Sequence, residues 1–355
     1  MPLPSSSAKP TLAAIARGTG VSTATVSKVV NGRADVADET RTKVLAALEE
    51  AGYRSPSQRR APAGPDVVEV AFETIDSAYP SALLGGILDH AANTDVEVVV
   101  STTGRQRATE PGLGRKAQRI VNEGRAGVIV VTSAYGEAAL AAFLRRDIPV
   151  VVIDSYNPPP ADVVSVGAAN WAGGKAATEH LLDLGHRRIA YLGGPEEVEC
   201  NQARLHGHLS ALASRGIETD PGLVLYGQFR AEYGIEGLTA LLSRPRPPTA
   251  VFAGNDAIAV GVLREARRRG IRVPEDLSLV GFDGTALARD CVPALTSVAQ
   301  PFQEMGRAAL RAVLRHARGE QPDTHRVELA TQLVVRESTA PLKFEVRPYD
   351  SSPGR

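Results

Sequence analysis

Seven short runs limit what this chain can fold into: 67–72 VVEVAF, 96–101 VEVVVS, 127–132 GVIVVT, 149–153 PVVVI, 188–192 RIAYL, 249–253 TAVFA and 277–282 LSLVGF. Each is nearly all apolar and rich in β-branched residues, the pattern of a strand buried on both faces of a parallel sheet. Parallel strands need crossovers, and Ala/Leu-rich stretches of helical length lie between the runs, among them 173–185 and 256–270. The alternation predicts a doubly wound α/β architecture. The chain from residue 66 holds too many strands for one such sheet, so two similar Rossmann-like subdomains are expected.

The residues before 66 have a different texture. Residues 1–9 are a polar leader and 10–53 read as a compact helical unit. Thr11 is placed to N-cap a first helix with Leu12, Ile15 and Ala16 at helical spacing, broken by Gly18 and Gly20. A later helix over 38–51 sets Val44, Leu45 and Leu48 on one face, with acidic residues in its first turn. Between them lies VSTATVSKVVNG, residues 21–32, whose valines alone would read as a strand. A helical wheel at about 100° per residue gathers Thr23, Ala24, Ser27, Lys28 and Asn31 on one side and Val26, Val29 and Val30 on the other. Strand alternation would mix polar and apolar residues on both faces, so helix is the reading.

A helix, a glycine-containing turn and a second helix with small polar residues outward form a helix-turn-helix, whose second helix enters the DNA major groove. Thr23 and Ala24 are placed for base edges or thymine methyls, and Lys28 for guanine O6/N7. Ser22, Thr25, Ser27 and Asn31 are placed for phosphates. The charge distribution agrees. Residues 1–62 carry nine Lys/Arg against five Asp/Glu, while the whole chain is neutral. Residues 54–65, RSPSQRRAPAGP, are a linker by composition and also basic.

Other chemistry finds little support. Two cysteines, Cys200 and Cys291, cannot build a disulfide framework or a Cys-rich metal site. His206 and His208 lack a neighbouring partner at ligand spacing, and LGGPEE lacks the lysine of a phosphate loop. No nucleophile elbow or other catalytic constellation is evident, so no enzyme activity, cofactor or metal is expected. With no signal-length or membrane-length apolar run, a cytoplasmic protein is expected.

The segment TLAAIARGTGVSTATVSKVVNG…VADETRTKVLAALEEAGYR resembles the DNA-binding headpiece of the LacI/GalR family of transcriptional regulators. Beyond it, LLDLGHRRIAYLGGP, NQARLHGHLSAL, VFAGNDAIAVGVL, RVPEDLSLVGFDG and VPALTSVAQPFQEMGRAAL resemble the family's type I periplasmic-binding-protein-like core. The resemblance runs from about Thr11 to Ser338. It places base-reading positions on Thr23, Ala24 and Lys28, and phosphate contacts on Ser22, Thr25, Ser27, Asn31 and Thr40.

The resemblance also implies two core subdomains joined by three chain crossings, expected near 166–170, 296–299 and 323–327. An N-subdomain of 66–167 and 299–324, a C-subdomain of 168–298 and 325–341 and a tail of 342–355 follow. A small effector would sit between the subdomains, at the strand ends. Residues following the predicted strands are its candidate contacts: Asp76, Ser77, Tyr79, Asn255 and Asp283, with Arg204 and Trp171 added. An arginine fork and carboxylates suit a mono- or oligosaccharide. An aromatic plate from Tyr79 or Trp171 would cover a sugar face. ANWAGG together with the headpiece is similar to a pentose, often xylose, branch of the family; a purine or nucleoside is the alternative effector.

The implied function is an effector-controlled regulator, most simply a repressor. It would act as a homodimer on double-stranded, pseudo-palindromic operator DNA, with no membrane partner. A solute-binding protein or a cytosolic sugar-processing enzyme are the rivals on the same core. One departure concerns the hinge helix of the family, which carries a leucine wedge. Pro62 stands at that position here, and proline ends a helix. Arg59 and Arg60 are the candidates to compensate by DNA contact.

Overall fold

The computed structural model describes residues 11–30, 36–51, 65–102, 110–131 and 137–342. The chain divides into two compact units, Met1–Gly64 and Pro65–Arg355.

The first unit is three helices: α1 (Leu12–Thr19), α2 (Thr23–Val30) and α3 (Asp38–Glu50). Thr11 caps α1, its hydroxyl accepting from Ala14 N at 3.2 Å, and Gly20 ends it in the left-handed region at φ 71°. Only a residue without Cβ adopts that geometry at no steric cost, so the helix stops there. Ser22 caps α2, accepting from Thr25 N at 3.0 Å. Ile15, Ala16, Val26, Val29, Val36, Val44 and Leu48 form the small core. Leu45 does not join it; one step from Val44 turns it about 100° away, and it is 49% exposed.

The second unit is two six-stranded sheets. The first is built from β1 (Asp66–Phe72), α4 (Ala78–Ala91), β2 (Val96–Thr102), α5 (Glu110–Asn122), β3 (Gly127–Val131), α6 (Glu137–Leu144), β4 (Val150–Ile153) and β5 (Val164–Ala168). The chain then enters the second: α7 (Asn170–Asp183), β6 (Ile189–Gly193), α8 (Glu199–Ser214), β7 (Val224–Tyr226), α9 (Ala231–Leu242), β8 (Ala250–Ala253), α10 (Asp256–Arg268), β9 (Ser278–Asp283), α11 (Ala286–Asp290) and β10 (Thr296–Ala299). It returns as α12 (Phe302–Ala317) and β11 (Arg326–Leu329) on the first sheet, and ends with β12 (Gln332–Val334) on the second.

The strand orders are β11-β5-β4-β3-β1-β2 and β12-β10-β9-β8-β6-β7, one pattern used twice. β1, β3, β4, β6, β8 and β9 are the buried centre of the sheets, as their apolar runs require. β2 differs: it is an edge strand with Glu97, Val100 and Thr102 exposed, despite an apolar sequence.

The chain crosses between sheets at 169, 300–301 and 330–331. The third crossing lies later than the expected 323–327, because β11 adds to the first sheet, pairing Val327 with Val166 and Leu329 with Ala168. Residues 326–329 therefore belong with the N-subdomain and not the C-subdomain. The first and third crossings are tied, Ala169 N donating to Leu329 O at 2.8 Å.

Helices α7 and α8 pack closely enough that a Cβ on Gly207 would lie 2.1 Å from Trp171 O, and one on Gly174 2.2 Å from Arg204 O. Glycine lets these two backbones meet, and that contact sets the position of Arg204. Among the described residues no helix is long and apolar enough to cross a membrane.

Candidate functional site

The residues expected to carry chemistry fall on two surfaces, one in each unit. On α2, Val26 and Val29 are buried while Thr23, Ala24 and Lys28 are exposed. The apolar side is consumed by the three-helix core, so the opposite side is left outward with short polar groups. Ser22 and Thr25 bond to each other at 2.8 Å at the start of the helix, beside Thr23 and Ala24. Ser27 and Thr40 are partly buried. Asn31, Arg59 and Arg60, and Pro62 with them, lie outside the described residues.

In the second unit a cavity of about 660 Å³ opens between the two sheets at the C-terminal ends of their strands. That is the size range of small-molecule sites and the position where α/β sheets bind ligands. Asp76, Ser77, Tyr79, Arg204, Asn255 and Asp283 all line it. Trp171 does not: it lies in the first turn of α7, 45% exposed and away from the cavity. The glycines that follow it serve packing: Gly173 lets α7 lie against Phe282 and Val298 of the second sheet, and Gly174 lets it meet α8.

Arg204, on α8, is the centre of the site. It is buried, its Nε donates to Asn170 Oδ1 at 2.8 Å, and its Nη1 donates to Gly254 O at 2.7 Å. Nη1 also lies 3.6 Å from Asp283 Oδ1, and the guanidinium stacks 3.8 Å from the centre of the Phe282 ring. Asp283 closes β9 with φ 103° and accepts from Gln300 Nε2 at 2.8 Å. Asn255 is both a cap and a wall: its Oδ1 accepts from Ile258 N at 2.8 Å while the residue lines the cavity.

Opposite stands Asp154, at the end of β4, which a sequence search for polar residues after strands ought to have included. It occupies in the first sheet the place that Asp283 occupies in the second, since β4 and β9 are third in their orders. It too has a left-handed backbone, φ 46°, a conformation uncommon for residues with a Cβ. Tyr79 donates its hydroxyl to Asp154 Oδ2, and its ring meets Phe302 edge-on at 5.5 Å. Burial pushes the carboxyls of Asp154 and Asp283 above the usual range, with Arg204 opposing the shift in both. Burial also raises the Cys200 thiol to about 11, so it lines the cavity as a neutral group.

Toward the cavity mouth lie Glu73, which accepts from Tyr156 at 2.8 Å, and Gln228, Phe229, Arg230 and Glu232. Phe229 to Glu232 follow β7, a three-residue strand too short to be read from sequence. The aromatic side chains lining the cavity are thus Phe72, Tyr79, Tyr156 and Phe229.

His208 faces elsewhere. Thr178 Oγ1 donates to Gly174 O at 2.9 Å, so it accepts the proton of His208 Nδ1, also at 2.9 Å. Burial pushes His208 down to about 4, which keeps the ring neutral.

Known proteins resemble the chain in both of its units. Residues 11–56 match the bacterial regulatory proteins of the lacI family, and residues 178–339 match a periplasmic binding protein-like domain. The HTH-type transcriptional regulator DegA of Bacillus subtilis is 33% identical over 341 residues, 94% of this chain and 99% of DegA. A structure of the transcriptional regulator CelR in complex with cellobiose superposes with a TM-score of 0.69 at 31% identity, over 93% of this chain and 99% of that one. The lac repressor dimer bound to operator superposes with a TM-score of 0.69 at 28% identity, over 94% of this chain and 100% of that one. With a helix-turn-helix of this kind joined to a two-sheet core with a cleft, the chain belongs to the LacI family of bacterial transcriptional regulators.

Proposed function

We propose that this regulator binds a pseudo-palindromic operator as a homodimer, and that a sugar held between the two core sheets controls that binding. Thr23, Ala24 and Lys28 read base edges, while Ser22, Thr25, Ser27, Asn31 and Thr40 hold phosphates. One helix of eight residues contacts few base pairs, so two-fold partners are needed for a usable site.

The observation that carries the reading is where the cleft groups are anchored. Arg204 bonds to Asn170 at the first crossing, and Asp283 bonds to Gln300 at the second, through both side chain and backbone. A ligand that engages Arg204 and Asp283 therefore bears directly on the segments about which the subdomains turn. Ligand contacts to Asp154 and Tyr79 from the other sheet favour one relative position of the two halves. That difference in affinity is what shifts a two-state equilibrium.

The relative solved with cellobiose supports a disaccharide, and the cavity exceeds the needs of a pentose. A pentose such as xylose is the smaller candidate, and a nucleoside stacking on Phe229 or Tyr79 is the alternative. The test joins two measurements on the full chain. A thermal-shift screen covers cellobiose, xylose, other mono- and disaccharides, purines and nucleosides. A gel shift uses DNA upstream of the protein's own gene, with and without each hit. A sugar that stabilises the protein and changes DNA retention supports the proposal; a purine that does both, with all sugars silent, refutes it.

A further inference from the structure

We infer that the cleft takes a ligand without negative charge, and that the phosphorylated or acid form of the same sugar is rejected. This rests on the cleft being the effector site. The first observation is the charge that lines it. Five acidic side chains face the cavity, Glu73, Asp76, Asp154, Glu232 and Asp283, against two guanidiniums, Arg204 and Arg230. Among the described residues no lysine or histidine joins them.

The second observation is that the deep cation is already committed. Arg204 donates to Asn170 and Gly254 and lies against Asp283, with its face on Phe282. A phosphate entering the cleft would have to compete with Asp283 for it. Such a competition leaves one anion buried and unpaired, which is strongly unfavourable. Arg230 is exposed, where water and salt screen its attraction.

The third observation concerns the helix starts. Helix N-termini normally welcome anions, and the first turns of α4, α8 and α9 and the cap of α10 contribute to the cavity wall. Three of these helices already carry an acid of the chain in the first turn: Glu199 on α8, Glu232 on α9 and Asp256 on α10. Asp256 is buried and accepts from Thr285 N at 2.8 Å and Ser297 Oγ at 2.6 Å. The positive ends of these helices are therefore matched internally. Hydroxyl groups, by contrast, suit the cavity well. They donate to carboxylates and accept from the remaining guanidinium and amide hydrogens without bringing charge.

A sugar phosphate adds roughly −1.5 to −2 charges at neutral pH. Held near Asp154 and Asp283, it should bind at least about a hundredfold more weakly than the neutral sugar.

The experiment is calorimetric titration of the full chain with matched pairs: glucose and glucose 6-phosphate, ribose and ribose 5-phosphate, cellobiose and cellobionate. Inorganic phosphate is added as a separate thermal-shift probe. The expected result is a neutral sugar that binds while its anionic partner is at least about a hundredfold weaker, with phosphate silent. Asp283→Asn should narrow that gap about tenfold. An anion that binds as tightly as its neutral partner, or phosphate that raises the melting temperature of the wild type, overturns the inference. If an uncharged nucleoside binds while every sugar, sugar anion and phosphate is silent, the sugar reading of the cleft falls while the exclusion of anions stands.

Discussion

Replacing Arg204 with Met tests the core of the site. Met fills much of the same stem volume but has no guanidinium. The change removes two hydrogen bonds, at 2.8 and 2.7 Å, and leaves Asp283 without the cation that lay 3.6 Å away. At an effective dielectric of about 20, unit charges at that separation attract by about 5 kcal/mol before desolvation is counted. Removing one partner of a buried pair typically costs about 3–5 kcal/mol, because the other charge stays behind.

The Asp283 carboxyl can escape part of this cost by taking a proton, since burial already raises its pKa. Asp283 is raised to about 7 even beside Arg204, so without that cation the penalty is largest well above neutral pH and shrinks as pH falls through the raised value. Asp283→Asn in the same chain removes the orphaned charge. The double variant should then be about 2 kcal/mol more stable than the two single losses added together. Urea unfolding followed through Trp171, the only tryptophan and part of α7, reports on this unit directly. If the two losses add within about 0.5 kcal/mol at about pH 9, where the carboxyl is charged, Arg204 and Asp283 do not act as a pair and the picture of the site is wrong.

Lys28→Ala should weaken operator binding by about 1–3 kcal/mol and relax preference at one base step, measured by gel shift on operator variants; undiminished preference would show that α2 positions the headpiece without reading sequence. His208 is held at about 4 against an ordinary 6.5, so the unfolded chain binds its proton first as pH falls; about 3 kcal/mol of stability should be lost between pH 6.5 and 4, and His208→Gln should flatten that part of the pH profile of the urea midpoint. Gly207→Ala should cost about 1–3 kcal/mol and blunt the ligand response, because the new methyl would lie 2.1 Å from Trp171 O and α8 must move with Arg204 on it; a melting temperature equal to wild type would contradict that packing.

The helix-turn-helix was legible because its signals are local. Thr11, Gly20 and Ser22 act on residues within a turn of themselves, and the valine stripe of α2 faces its core at a fixed angle. Central strands were legible for a similar reason: burial on both faces requires apolar residues at every position. Three of the four edge strands escaped notice, as did β5 and β10 beside them. β7, β11 and β12 have three or four residues each and half-exposed patterns, so they carry no such requirement. That loss moved the third crossing and hid Phe229, Arg230 and Glu232.

Sequence by itself determined the family, the two kinds of unit, and six of the seven residues expected to line the cavity between the sheets. It did so because caps, helical stripes and strand-end positions are consequences of neighbours along the chain. Only the tertiary structure decided which polar residues share one space. It placed Asp154 opposite Asp283 through equivalent positions in two sheets, turned Trp171 away, and tied Arg204 and Asp283 to the crossings at Asn170 and Gln300. Those outcomes depend on how strands far apart in sequence pair and how closely α7 and α8 approach, and no local pattern of residues encodes either.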